Sequence, residues 1–162
     1  MRKAIWTMIA LGCGLMAAAQ TTGKADQFTG QDVKARIDAL EAKAVTDGSA
    51  GQTLADYGSH KVQLSVRTRS GGAEIHAHFD DIMIVQRGAA TLITGGSLID
   101  PESHADGETT GKSIRDGVTW QLGPGDVVTV NAGVPHQLLI PVGTTYAAIV
   151  IKVREGEAPT VH

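Results

Sequence analysis

Glu74-Ile75-His76-Ala77-His78-Phe79-Asp80-Asp81 is the stretch on which the reading of this chain turns. Two histidines stand two apart, an acidic pair follows, and the apolar run Ile82-Met83-Ile84-Val85 comes next. In a β-strand alternate residues point to one face. That spacing predicts His76 and His78 on a common face with Glu74 in line behind them, and Ile75 and Ala77 on the other. Two imidazoles so placed can share one metal ion, and a further ligand must then come from elsewhere. Glu74 is read either as a group that orients His76 or carries a proton, or as a surface acid at a strand end.

The best source of a third ligand is His136, in Gly125-Asp126-Val127-Val128-Thr129-Val130-Asn131-Ala132-Gly133-Val134-Pro135-His136. Together the two stretches resemble the two motifs of the cupin superfamily. His76 and His78 fill the His-x-His pair, and Asp81, placed ahead of Gly88, stands in the slot of the acidic ligand. Gly125, Gly133 and His136 fill the second motif in register. The pattern departs from the family at three places. Asp81 is an aspartate one residue closer to His78 than the usual glutamate, Asn131 takes a proline slot, and Ile140 takes the final asparagine slot. The resemblance covers roughly residues 57–153. It implies an all-β fold, a double-stranded β-helix of the cupin and jelly-roll type, to which the residues upstream add an N-terminal helix. It also implies a divalent ion (Fe, Mn, Zn, Ni, Co or Cu) held by His76, His78 and His136, with Asp81 as a conditional fourth ligand.

The residues outside the motifs agree with such a barrel. Val62, Leu64 and Val66 alternate with Lys61, Gln63, Ser65 and Arg67, the pattern of a half-buried strand. Arg67 and Arg69 could hold an anionic substrate if they faced the barrel, but on parity they oppose the apolar set, which predicts that they face solvent. Further strands are expected over 74–78, 81–86, 90–94, 118–122, 127–130, 137–140 and 145–153, separated by Gly-rich turns. Residues 100–112 are the most polar segment, and they read as a solvated loop carrying His104, with a lid over the barrel mouth as the sharper alternative. Upstream, Thr29 to Ala44 reads as a helix. Thr29 and Asp32 have capping-box spacing, and Val33, Ile37, Leu40 and Ala44 share one narrow face. Asp47 to Gly51 reads as a turn or linker.

The chain of 162 residues opens on Arg2 and Lys3, a mostly apolar run, and Ala17-Ala18-Ala19. That is the build of a signal peptide over residues 1–19 and predicts a periplasmic or secreted protein with no membrane anchor after cleavage. Cys13 is the only cysteine and lies in that segment. It sits in a degenerate lipoprotein box, so lipidation there is the lesser reading. Residues 20–52 are then a lead-in with the helix, 53–155 the barrel, and 156–162 a tail. A net charge of −3 without a Lys/Arg cluster argues against nucleic acid and anionic membrane surfaces as partners. No Gly-rich phosphate loop opens a helix, and no Ser or Cys nucleophile stands out, so the catalytic residues stay unassigned. Two functions fit: a metal-dependent enzyme of dioxygenase or isomerase type acting on a small oxygen-rich or carboxylated molecule, or a non-catalytic small-molecule or metal-binding cupin of the cell envelope. Open sheet edges and the cupin resemblance predict a homodimer.

Overall fold

A computed structural model describes residues 25–156. The signal peptide expected at 1–19, Cys13, and residues 157–162 of the expected tail lie outside the described residues. Helix α1 (Gly30–Asp47) starts at Thr29, whose Oγ1 accepts from Asp32 N at 3.1 Å. It ends at Gly48, which takes a left-handed conformation (φ 90°) and returns its N–H to Ala44 O. Only glycine adopts that conformation cheaply, so the sequence itself stops the helix there.

Thirteen strands follow: β1 (Ser49–Asp56), β2 (His60–Arg67), β3 (Ala73–His76), β4 (Phe79–Arg87), β5 (Ala90–Thr94), β6 (Ser97–Ile99), β7 (Glu102–Ser103), β8 (Glu108–Gly111), β9 (Ser113–Arg115), β10 (Val118–Leu122), β11 (Val127–Val130), β12 (His136–Leu139) and β13 (Tyr146–Arg154). Five of them form one sheet in the order β1-β2-β13-β4-β11, and six form a second in the order β10-β5-β12-β3-β8-β7. β6 and β9 make a separate ribbon. Every pairing is antiparallel. This all-β pair of sheets with one helix is the double-stranded β-helix expected from the sequence.

The sheets close on a core of Met83, Val85, Ala90, Leu92, Leu122, Val130, Ile140, Tyr146, Ala148 and Val150. The outer face of the five-stranded sheet is covered as well. Leu64, Val66 and Ala147 bury against Val33, Ile37 and Ala44 of α1. Alternation along β13 therefore separates two apolar environments: Tyr146 and Ala148 face the barrel, and Ala147 faces the helix. Arg87 fastens the helix with bonds to Glu41 (2.8 Å) and Asp38 (2.6 Å), and Thr145 Oγ1 donates to Glu41 at 2.8 Å.

Three expectations are corrected. The segment after Gly48 is no linker, because β1 begins at Ser49 and pairs with β2 along its length. Residues 100–112 are not simply a solvated loop. They fold into a hairpin, β7 with β8, and β8 adds to the edge of β3, satisfying backbone groups that β3 would otherwise expose. Arg67 does not turn to solvent. With α1 covering the Leu64 and Val66 face of β2, the polar alternates Gln63, Ser65 and Arg67 line the barrel cavity.

Candidate metal centre

β3 carries Glu74 and His76, and its neighbours in the sheet supply their partners. β12 runs beside it with His136 opposite Glu74, and β8 runs on the other side with Glu108 opposite His76. The turn before β12 fixes the approach of His136. Gly133, with φ +76°, donates its N–H to His76 O at 2.8 Å, and Ala132 N donates to Asp80 Oδ1 at 2.8 Å. The second motif is therefore hydrogen-bonded directly to the first. His136 Nδ1 lies 3.2 Å from Val134 O, a contact that, with the proton on Nδ1, leaves Nε2 turned to the cavity.

There the groups converge. One ligand atom from each of Glu74, His76 and His136 lies within 4.8 Å of the other two. His136 Nε2 stands 3.5 Å from Glu74 Oε1. Asp81, on β4 of the opposite sheet, reaches across to place Oδ2 3.3 Å from His76 Nε2 and 3.9 Å from His136 Nε2. Its other oxygen, Oδ1, accepts from Lys152 Nζ at 2.8 Å. The second nitrogen of His76, Nδ1, is hydrogen-bonded to Glu108. Both histidines and Asp81 are buried.

Electrostatics follow from these contacts. Burial pushes Asp81 upward, but the hydrogen bond with His76 and the charge of Lys152 outweigh it and hold Asp81 below the ordinary carboxylate value. Burial likewise pushes Glu74 up, and His136 beside it brings the net shift down. Burial favours neutral His76, yet Asp81 and Glu108 on its two nitrogens raise it above the ordinary imidazole value. Acids and bases thus stabilise each other's charged forms in a setting where an unpaired charge would be costly.

The donor set fits a divalent ion. Ligand atoms at roughly 2.0–2.2 Å from one tetrahedral ion stand about 3.3–3.6 Å from each other, and the separations His76–Asp81 (3.3 Å), His136–Glu74 (3.5 Å) and His136–Asp81 (3.9 Å) are of that order. Oxygen and imidazole donors suit Zn, Mn, Fe, Co, Ni or Cu alike.

Of the residues singled out in the sequence, the structure brings His76, His136 and Asp81 together and adds Glu74. It does not bring His78 to them. The shared-face argument required the strand to continue, but β3 ends at His76 and the chain bends at Ala77 and His78. Ala77 N donates to Gly107 O at 3.0 Å, and His78 is left exposed beside Gly107. His104 is exposed and bonded to Thr110, away from the cluster. Glu108 and Lys152 were missed. Lys152 did leave a trace, since it continues the inward register of Tyr146, Ala148 and Val150 in an otherwise apolar strand.

The cluster sits in the wall of a cavity of about 340 Å³ within the barrel. Arg67, Gln63 and Ser65 contribute polar groups to it, and Met83, Leu92, Leu138, Ala148 and Val150 contribute apolar surface. A cavity of this size, with polar and apolar groups in its wall, suits one small molecule.

By fold the chain is a small double-stranded β-helix domain. It is similar to the protein NMB1881 from Neisseria meningitidis at 11% identity, over 75% of this chain and 96% of that one, with a TM-score of 0.52. KdgF from Halomonas sp. aligns at 14% identity over 67% of this chain and 82% of its own, with a TM-score of 0.49. A conserved protein with a double-stranded β-helix domain from Klebsiella pneumoniae aligns at 13% identity over 65% and 76%, with a TM-score of 0.48. At such identities the likeness is one of fold. No protein-family model matches the sequence, and no curated protein matches it.

Proposed function

We propose that this chain binds one divalent metal ion through Glu74, His76 and His136, with Asp81 as an additional ligand, and uses it to act on a small oxygen-rich molecule in the barrel. The observation that carries this reading is the convergence of one ligand atom from each of three residues within 4.8 Å at the wall of a 340 Å³ cavity. Three or four protein ligands leave positions open for water or substrate, which a catalytic metal requires. Oxidation of dioxygenase type stands first among the reactions, because the ligand set accepts Fe or Mn as readily as Zn. The ion would supply Lewis-acid or redox chemistry. The chain's own groups would orient the ligand and carry protons, Lys152 and Glu74 being the ionisable side chains beside the cluster.

A second reading, a non-catalytic small-molecule or metal-binding cupin, draws on the Lys152–Asp81 pair. A lysine ammonium already neutralises the acid that a family-type site gives to the metal. Metal analysis of untagged protein, followed by zinc and iron titration of the stripped protein, tests both. One equivalent of redox-active metal and loss of binding in His136→Ala support the enzyme. Wild-type affinity in His136→Ala overturns the metal site.

Export belongs to the same proposal and rests on Arg2-Lys3, the apolar run and Ala17–Ala19. Intact mass of protein from the envelope fraction tests it. A mature chain beginning near Gln20 is expected, a chain beginning at Met1 in the cytoplasm overturns it, and a lipid on Cys13 favours the anchored form. Among the described residues no helix is long and apolar enough to cross a membrane. A homodimer is proposed as well, because β10 and β11, each at a sheet edge, expose Val118, Trp120 and Val127. Light scattering that finds only monomer at high concentration refutes it.

A further inference from the structure

Tyr146 is 1% exposed, and its hydroxyl is the one buried side-chain polar atom among the described residues that has no hydrogen-bond partner. Buried phenols nearly always find a partner, and leaving one unpaired costs stability. The ring belongs to the barrel core and lines the cavity. Arg67 is its direct cross-strand partner in the β2–β13 register and lines the same cavity. Directly opposed residues on adjacent strands have Cβ atoms about 5 Å apart, so the two side chains enter the cavity as neighbours. Among the described residues the Arg67 guanidinium makes no hydrogen bond and no ion pair within 4.0 Å. Glu74, whose carboxylate feels the Arg67 charge, is turned to His136 instead. Gly71 makes room for the group: a Cβ there would come within 2.6 Å of Arg67 Nη1.

We infer that Arg67 and Tyr146 form an oxyanion subsite that holds a carboxylate of the ligand, separate from the metal cluster in the same cavity. The phenol and the guanidinium enter the same cavity from registered positions and neither has an acceptor, and a carboxylate supplies two acceptor oxygens and the opposite charge. Burial pushes the Tyr146 phenol up to about 12, so it remains a donor throughout the neutral range. A water could take the phenol proton, but it would leave the arginine charge uncompensated. Carboxylate is favoured over phosphate because a single phosphate group carries up to two charges and more acceptor oxygens than one guanidinium and one phenol can match, whereas a carboxylate group carries one charge on two oxygens. The charges of the cavity agree. Arg67 and Lys152 balance Glu74 and Asp81, so a bound divalent ion leaves the cavity net positive and suited to an anion.

This inference deepens the proposed function by naming the ligand class, and its test is run without metal so that the two fail separately. Metal-stripped protein is titrated by NMR with succinate, with its neutral diamide succinamide, and with inorganic phosphate. Succinate is expected to bind at least tenfold more tightly than succinamide and more tightly than phosphate. Tyr146→Phe, nearly isosteric, is expected to weaken succinate about fivefold and Arg67→Gln more than tenfold. Both variants are expected to keep zinc affinity within about threefold and to unfold at a temperature no lower than the wild type. Succinate binding that is absent, matched by succinamide, or untouched in both variants overturns the subsite. Tighter binding of phosphate overturns its assignment to carboxylates. A protein that binds succinate as expected but no metal would retain the subsite and lose the metal reading.

Discussion

Lys152 and Asp81 face each other as registered partners on β13 and β4, with Nζ 2.8 Å from Oδ1. The lysine is one-fifth exposed and the aspartate nearly buried, so the pair is partly withdrawn from water. It holds the acid ionised while the acid's other oxygen faces the two histidines. Lys152→Met strands that carboxylate in the metal-free protein, and a loss of about 1–3 kcal/mol in urea unfolding is expected. The same change removes a cation beside the ion. Zinc affinity should therefore rise about tenfold. Lower stability together with weaker zinc binding would assign the lysine a different role.

Glu108 holds the Nδ1 side of His76 and so determines which nitrogen faces the cluster. Partners of this kind typically contribute 10–100-fold to metal affinity. Glu108→Ala is expected to weaken zinc by about that factor. Glu108→Gln, which keeps an acceptor and loses the charge, should fall between. His78→Ala, by contrast, should leave zinc affinity unchanged, since His78 lies outside the cluster. Calorimetric titration of the three variants separates these outcomes.

The shifted groups give the metal-free protein a stability maximum. Asp81 and Glu74 are held below their ordinary values, so their contribution is present above about pH 4 and is lost as pH falls through their folded values. His76 is raised, so its contribution is complete below about pH 6.5 and is lost as pH rises through its folded value. Denaturation midpoints should peak between those limits. Zinc affinity should instead climb on the alkaline side, because the ion competes with the His76 proton. A metal-free midpoint that rises steadily from pH 6 to 8 would contradict the His76 contacts.

Gly88 ends the first motif at φ +74°, and a Cβ there would fall on the Thr145 carbonyl oxygen. Gly88→Ala has no side-chain escape. A loss of at least about 1–3 kcal/mol is expected from the conformation alone, before the clash is added. Gly133, also at positive φ, has open space at its Cβ position, so Gly133→Ala should cost less. Thermal unfolding of the two variants gives the ranking directly.

Local patterns in the sequence carried the barrel a long way. The period-two runs located β2, β4, β5, β10, β11 and β13, and the Gly133–His136 spacing put a histidine beside His76. Parity misled in two places, for one reason: it says which residues share a face and not what covers that face. On β2 both faces are covered, so the polar row is the cavity wall and the apolar row lies under a helix. At His78 the strand had already stopped, because β8 takes over its edge and bends it at Ala77. Glu108 and Lys152 lie 32 and 71 residues from their partners, a separation that no local pattern spans. Both are legible only once the strands are in register.

The bonds from α1 reach the start of the innermost strand. Thr145 holds Glu41, and Tyr146 comes next in the chain. Leu64, Val66 and Ala147, each at most 1% exposed, owe that burial in part to Val33 and Ile37. The helix therefore shields an apolar sheet face that the strands alone would expose. A version begun at Ser49 would retain every strand and yet present a greasy, unpaired sheet to its neighbours. Its first failure would be clumping during production rather than any change in chemistry.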